Sequence, residues 1–163
     1  PPDEGNFLRE TFPTSNCHVV LPELFNTQGN KIVEIKLADD LKNPFVRGID
    51  ATTGKKTFNN GNYGVIYDVH FNTGSKNETL VQFSPEGGLY AGYGKIGEEG
   101  QLKLVGLPEG ETAFGKAGRE EAIVVGTIPG GKKGEMIFSP PGSSNLPIKI
   151  ILIPEKVLQK ITK

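Results

Sequence analysis

The stretch NYGVIYDVHFN, residues 62–72, limits the possible folds more than any other part of the chain. Tyr63, Val65, Tyr67, Val69 and Phe71 alternate with Gly64, Ile66, Asp68 and His70. Successive strand residues point to opposite faces, so the first set makes an apolar face and the second a largely polar one. That pattern predicts an antiparallel strand with one face on a core and the other in water. The same stretch wound as a helix would mix the two sets on every side.

Similar runs recur every ~8–15 residues, separated by turn chemistry. Residues 31–37 (KIVEIKL) alternate, with Ile32, Glu34 and Lys36 on one face and Val33, Ile35 and Leu37 on the other. Further strands are predicted over 18–24, 78–84, 89–96, 101–107, 122–128, 134–139 and 147–153. Pro22 suits the first of these to an edge or a strand end. In the last, Ile148, Ile150 and Leu152 share one face and Ile151 and Ile153 the other, which predicts a central strand covered on both sides. Residues 154–162 are the one plausible helix, with Val157, Leu158 and Ile161 as a narrow apolar stripe. Residues 1–16 read as an irregular arm anchored by Phe7, Leu8 and Phe12. The polar stretch 38–61 reads as a crossover between sheets.

About nine strands without intervening helices predict an all-β fold, an antiparallel β-sandwich with a short C-terminal helix, built as a single domain over 1–163. With 163 residues the chain can bury a core without staples. It has one cysteine, Cys17, so no intrachain disulfide is expected. Cys17 is expected to be a small buried apolar residue. The 22 glycines and 12 prolines are spread along the chain and serve turns.

Charge excludes some function classes. The formal net charge is −1 with the two signs intermixed, so no basic footprint for nucleic acid is present. The longest apolar run, Ile150–Ile153, is too short to span a bilayer. The chain opens Pro1-Pro2-Asp3-Glu4-Gly5-Asn6 without a signal peptide, which reads as a trimmed or processed N-terminus.

Gly92-Tyr93-Gly94-Lys95-Ile96-Gly97 spells G-x-G-x-x-G. A dinucleotide fingerprint needs a helix after the glycines, to meet the pyrophosphate. Here Glu98-Glu99-Gly100 and a strand pattern follow, and two carboxylates would repel phosphate. The glycines are therefore expected to permit tight turns and close strand packing. Tyr90 and Tyr93 differ in parity, so they should project to opposite faces, one of them to solvent. The candidate ligand-binding residues are Tyr90, Tyr93, Lys95 and Glu98, offered to a glycan, a cell-wall polymer or another protein domain.

No nucleophile–base pair is legible. Cys17 and His18 are neighbours and would point apart on a strand, and neither His18 nor His70 has H-x-H, H-E-x-x-H or C-x-x-C company. Ser143 and Ser144 sit in a predicted turn. The carboxylate pairs Asp39-Asp40, Glu98-Glu99 and Glu120-Glu121 lie in polar stretches, unlike the apolar setting that tunes a catalytic acid. Calcium is the one cofactor the residues suggest, through the hard oxygens of Asp39, Asp40 and Asp50, with Asn43, in the long connection. Asn77-Glu78-Thr79 is a glycosylation sequon on a predicted turn.

Two strings and a segment between them carry a resemblance. They are Asp50-Ala51-Thr52-Thr53-Gly54-Lys55 leading into Gly61-Asn62-Tyr63-Gly64-Val65-Ile66-Tyr67, then residues 87–94, then Pro140-Pro141-Gly142-Ser143-Ser144-Asn145-Leu146-Pro147. Together, over roughly residues 48–154, they resemble uncharacterised β-sandwich domains of secreted or cell-envelope proteins from Gram-positive bacteria. The resemblance implies the sandwich and an extracytoplasmic location, and it carries no catalytic residue. The expected function is a non-catalytic module with a binding or structural role. A carbohydrate- or cell-wall-binding module is one alternative, though the chain has no tryptophan to stack on sugars. A hydrolase with a site assembled from dispersed residues is another.

Overall fold

A computed structural model describes residues 10–11, 16–20, 31–73, 77–110, 112–116 and 119–161. The alternating stretch forms β6 (Ile66–Asn72), whose burial alternates as the sequence predicts. Val65, Tyr67, Val69 and Phe71 are buried. Tyr63 precedes the strand and is half-buried, its hydroxyl donating to the Ser144 carbonyl at 2.7 Å.

The strands run in chain order as β1 (Glu10–Thr11), β2 (Asn16–Val20), β3 (Val33–Leu37), β4 (Arg47–Asp50), β5 (Lys56–Phe58), β6, β7 (Thr79–Pro85), β8 (Gly92–Glu98), β9 (Gln101–Leu107), β10 (Ile123–Ile128), β11 (Lys133–Phe138) and β12 (Ile148–Pro154). The helix α1 (Glu155–Ile161) follows directly. The protein is an all-β sandwich. One sheet has the order β10-β7-β12-β3 and the other β2-β6-β11-β8-β9. A third, three-stranded sheet has the order β1-β4-β5.

Each of the nine predicted strands has a counterpart. β12 is central, between β7 and β3, and six of its seven residues are buried. Three expectations need correction. Within residues 1–16, read as an irregular arm, Glu10–Thr11 forms β1 and pairs antiparallel with β4. The 38–61 connection does cross from one sheet to the other, but it carries β4 and β5 on the way. β2 lies parallel to β6, with His18 in register with Asp68, so the five-stranded sheet is not wholly antiparallel. The side chains of Cys17 and His18 lie outside the described residues. So do Phe7, Leu8, Phe12, Pro22 and Thr162.

The core joins the two sheets through aromatic rings. Phe83 of β7 meets Phe138 of β11 edge-on at 5.7 Å, Tyr67 stacks on Phe138 at 5.2 Å, and Tyr90 tilts against Phe83 at 4.8 Å. Such pairs add roughly 0.5–1.5 kcal/mol each beyond their buried area. Ile148, Ile150 and Leu152 of β12, with Val81, fill the space between, all fully buried.

The crossover is tied to this core by buried polar groups. The Tyr67 hydroxyl donates to Asn43 Oδ1 at 2.7 Å, and Asn62 Nδ2 donates to the Tyr67 hydroxyl at 2.8 Å. Asn62 Oδ1 accepts from the Val46 amide at 2.7 Å. Asn62 has φ +51°, in the left-handed region that asparagine tolerates better than most side chains.

The outer face of the four-stranded sheet hides a lysine. Lys149 is 7% exposed, and its Nζ lies 2.8 Å from Glu86, 3.1 Å from Glu120 and 3.4 Å from Glu34. Hydrogen bonding to Glu86 pushes the ammonium pKa up despite burial. Burial opposes ionisation of Glu86, but hydrogen bonds from Lys149 and Lys36 outweigh it and hold its carboxyl below the usual range.

Candidate functional site

β8 carries most of the predicted site residues, and strand parity sorts them. Gly94 and Ile96 face the core, while Tyr93 and Lys95 face solvent. Tyr93 is 66% exposed. Tyr90 lies before the strand, fully buried, with its backbone paired to Phe114 and its ring in the aromatic core. Burial pushes its phenol pKa up. Tyr90 is therefore removed from the candidate surface, because no ligand reaches a side chain closed into the core.

Glu98 is also separated from Tyr93. It stands at the far end of β8, five residues on, or about 17 Å at strand rise. It shares the core-side parity of Gly94 and Ile96 and lines the cleft between β9 and β10, where its carboxylate lies 3.3 Å from Lys132. Of the four predicted residues, Tyr93 and Lys95 share one face, and Tyr90 and Glu98 do not join them.

Tyr93 stands beside a groove of about 470 Å³ at one end of the sandwich. Ala91 and Gly92 give one wall, Pro108 and Gly110 of the β9–β10 connection a second, and Ser139 and Pro141 of the β11–β12 connection a third. The walls are held together by backbone bonding. Ser144 is buried, and its hydroxyl lies 3.3 Å from both the amide and the carbonyl of Ala91. The Asn145 amide donates to the Leu89 carbonyl at 2.8 Å. Ser144 is thus a fastener of the groove, in keeping with the turn role read from the sequence.

Opposite Tyr93 on β9 sits Gly106, which has no side chain to cover the ring. Opposite Lys95 sits Leu104, 68% exposed. The exposed patch therefore combines an aromatic ring, an aliphatic side chain and an ammonium, with the half-buried Ser139 in the adjoining groove. An amphipathic ring beside a groove is suited to hold a ligand with one apolar face and polar edges.

The glycines of G-x-G-x-x-G lie inside β8, in a hairpin with β9. A Cβ on Gly97 would run into the Gln101 carbonyl. The motif is a close strand contact, as the strand pattern after it predicts.

The predicted calcium ligands serve turns. Asp39 Oδ1 accepts from the amides of Leu41, Lys42 and Asn43 at 2.9–3.1 Å. These bonds hold its pKa low against the opposing effect of desolvation. Asp40 Oδ1 accepts from the Phe45 amide, and Asp50 Oδ1 from the amides of Thr52 and Thr53. Asp39 and Asp40 follow β3, whereas Asp50 closes the β4–β5 turn, so the three carboxylates belong to two separate turns. In the glycosylation sequon Thr79 is buried and Asn77 half-buried.

One group escaped the sequence reading. Asp68, His70 and Glu135, all half-buried, bring their ligating atoms within 4.8 Å of one another. The legible part was D-x-H, which sets two side chains on one face of β6. Glu135 joins them only through the β6–β11 register, 65 residues away.

Comparison with known proteins adds little. No known protein family matches the chain, and no curated protein matches its sequence. Among solved structures, the Podospora anserina GH26-CBM35 β-(1,4)-mannanase aligns over 77% of this chain at 9% identity, with a TM-score of 0.37. This chain spans 28% of that one.

Proposed function

We propose that this sandwich is a non-catalytic binding module that holds a carbohydrate ring against Tyr93. The exposed tyrosine at the mouth of the groove carries the reading. A tyrosine flanked by Gly92, Gly94 and Gly106 offers an apolar face to sugar C–H groups at low conformational cost, while Ser139 can meet a hydroxyl. Lys95, two residues along the same face, suits an acidic substituent on the polymer.

The groove lining favours binding over hydrolysis. Glycoside hydrolysis by the usual route needs two carboxylates flanking the bond. Among the described residues, those lining the groove beside Tyr93 supply a hydroxyl, prolines and backbone instead. Glu86, a largely buried carboxylate elsewhere in the fold, is ion-paired with Lys149 and Lys36 and is held ionised, which suits a structural role. A place outside a bacterial cytoplasm accords with this function and with the resemblance of the turn motifs to cell-envelope domains.

A glycan array that includes neutral polysaccharides and acidic cell-wall polymers, probed with and without calcium, tests the proposal. Selective binding to one polymer class supports it. Uniformly blank spots on both arrays overturn it.

A further inference from the structure

We propose that Asp68, His70 and Glu135 form a binding site for one divalent cation of the zinc class on the outer face of the five-stranded sheet. The inference does not depend on carbohydrate binding. The topology makes the site: residues two apart on a strand share a face, and the residue directly across an antiparallel ladder shares it too. Asp68 and His70 are two apart on β6, and Glu135 of β11 is the register partner of His70. Three ligands are thereby presented to one point from two neighbouring strands.

The present spacing needs only side-chain adjustment. Ligands at ~2.0–2.1 Å from a tetrahedral zinc stand about 3.3 Å apart. The three ligating atoms lie within 4.8 Å of one another, and His70 Nε2 is already 2.9 Å from Asp68 Oδ1. One imidazole nitrogen with two carboxylate oxygens suits zinc better than calcium or magnesium, which take oxygen ligands.

A second observation concerns the other ring nitrogen. His70 Nδ1 lies 3.9 Å from Glu99 Oε1. Metal-bound histidines commonly direct their second nitrogen at a carboxylate, which fixes the tautomer and the ring orientation. Glu99 is held in place by its own amide, which donates to the Lys133 carbonyl at 2.9 Å, and Lys133 Nζ lies 3.9 Å from its second oxygen. The 3.9 Å gap is beyond direct hydrogen-bond reach, so metal binding requires a side-chain rotation that brings Glu99 onto Nδ1–H and turns Nε2 from its 2.9 Å contact with Asp68 to the ion.

The site is distinct from the groove. Glu135 pairs with Gly97 on β8, four residues or about 13 Å along the strand from Tyr93.

Titration of Zn²⁺ into untagged, chelator-treated protein, followed by calorimetry and by the visible spectrum of Co²⁺ as a substitute, tests the proposal. One saturable equivalent is expected. His70→Ala and Glu135→Gln should each weaken binding tenfold or more, and Glu99→Gln about tenfold, within the usual range for such supporting carboxylates. Glu135→Gln is nearly isosteric at a half-exposed position and keeps the test open if His70→Ala fails to fold. Tyr93→Ala should bind Zn²⁺ like the parent. Absence of saturable binding at millimolar Zn²⁺, or parental affinity in folded Glu135→Gln, would overturn the proposal.

Discussion

Replacing Tyr67 with phenylalanine removes one oxygen atom from the centre of the protein and tests how the crossover is held. The ring keeps its stack on Phe138. Two hydrogen bonds are lost, one from Asn62 and one to Asn43, at 2.8 and 2.7 Å. Both asparagines retain another contact: Asn62 Nδ2 with the Pro44 carbonyl at 3.2 Å, and Asn43 Oδ1 with the Ala38 amide at 2.9 Å. No side-chain amide is left wholly unmatched, so the loss is that of two net hydrogen bonds, about 1–3 kcal/mol. For a domain of this size that lowers Tm by roughly 3–10 °C.

Asn62→Ala goes further. It also strips the Val46 amide of its acceptor and asks alanine to adopt φ +51°. About 3–5 kcal/mol is expected, and Asn62→Gly should recover about 1 kcal/mol by relieving the backbone strain. Urea unfolding of the three variants and of the Tyr67→Phe/Asn62→Ala double variant measures each step. The coupling between the two sites should be about 0.5–1.5 kcal/mol. Tyr67→Phe within ~0.5 kcal/mol of the parent, or strictly additive effects, would refute the account of a shared buried network.

Two further outcomes follow from the charges and the glycines. Glu86 is held ionised in the fold, so its stabilising contribution is complete above its ordinary value of 4.5 and fades as pH falls through its lower folded value. Glu86→Gln should cost about 1–3 kcal/mol at neutral pH by leaving Lys149 to the more exposed Glu34 and Glu120, and the gap to the parent should close in acid; equal Tm values at neutral pH would contradict this. ATP or NAD at millimolar concentration should leave Tm unchanged, because the G-x-G-x-x-G segment is a strand, and a shift of several degrees would reopen the question.

Sequence reading succeeded where burial is periodic. β6 and β12 declare themselves because each must cover a core face, and the parity of Tyr90 and Tyr93 correctly predicted that one faces solvent. It did not see β4 and β5. Their strands are four and three residues long and leave Ile49 and Phe58 exposed, so no hydrophobic period marks them. They are specified by contacts instead: Asp50 caps their turn, Phe45 stacks on Phe58 at 6.1 Å, and Arg47 lies 5.3 Å over the same ring. The groove was half legible. Tyr93 and Lys95 follow from strand alternation, but Pro108 and Ser139 reach it from connections whose positions depend on sheet order. Glu98 is near Tyr93 in sequence but not in space, because a strand puts five residues about 17 Å apart. The Asp68–His70–Glu135 group stayed hidden for the converse reason, being assembled by register across two strands.

The central claim rests on Tyr93, and the direct measurement is calorimetric titration of the parent and Tyr93→Ala with the polymer that the array selects. Loss of one stacked ring should cost about 1–2 kcal/mol, or a roughly 5- to 30-fold weaker Kd. Because Tyr93 is 66% exposed, the variant should unfold within ~0.5 kcal/mol of the parent. Weakened binding by a stably folded Tyr93→Ala is the predicted result. Parental affinity in that variant would contradict the account and place the ligand away from the groove.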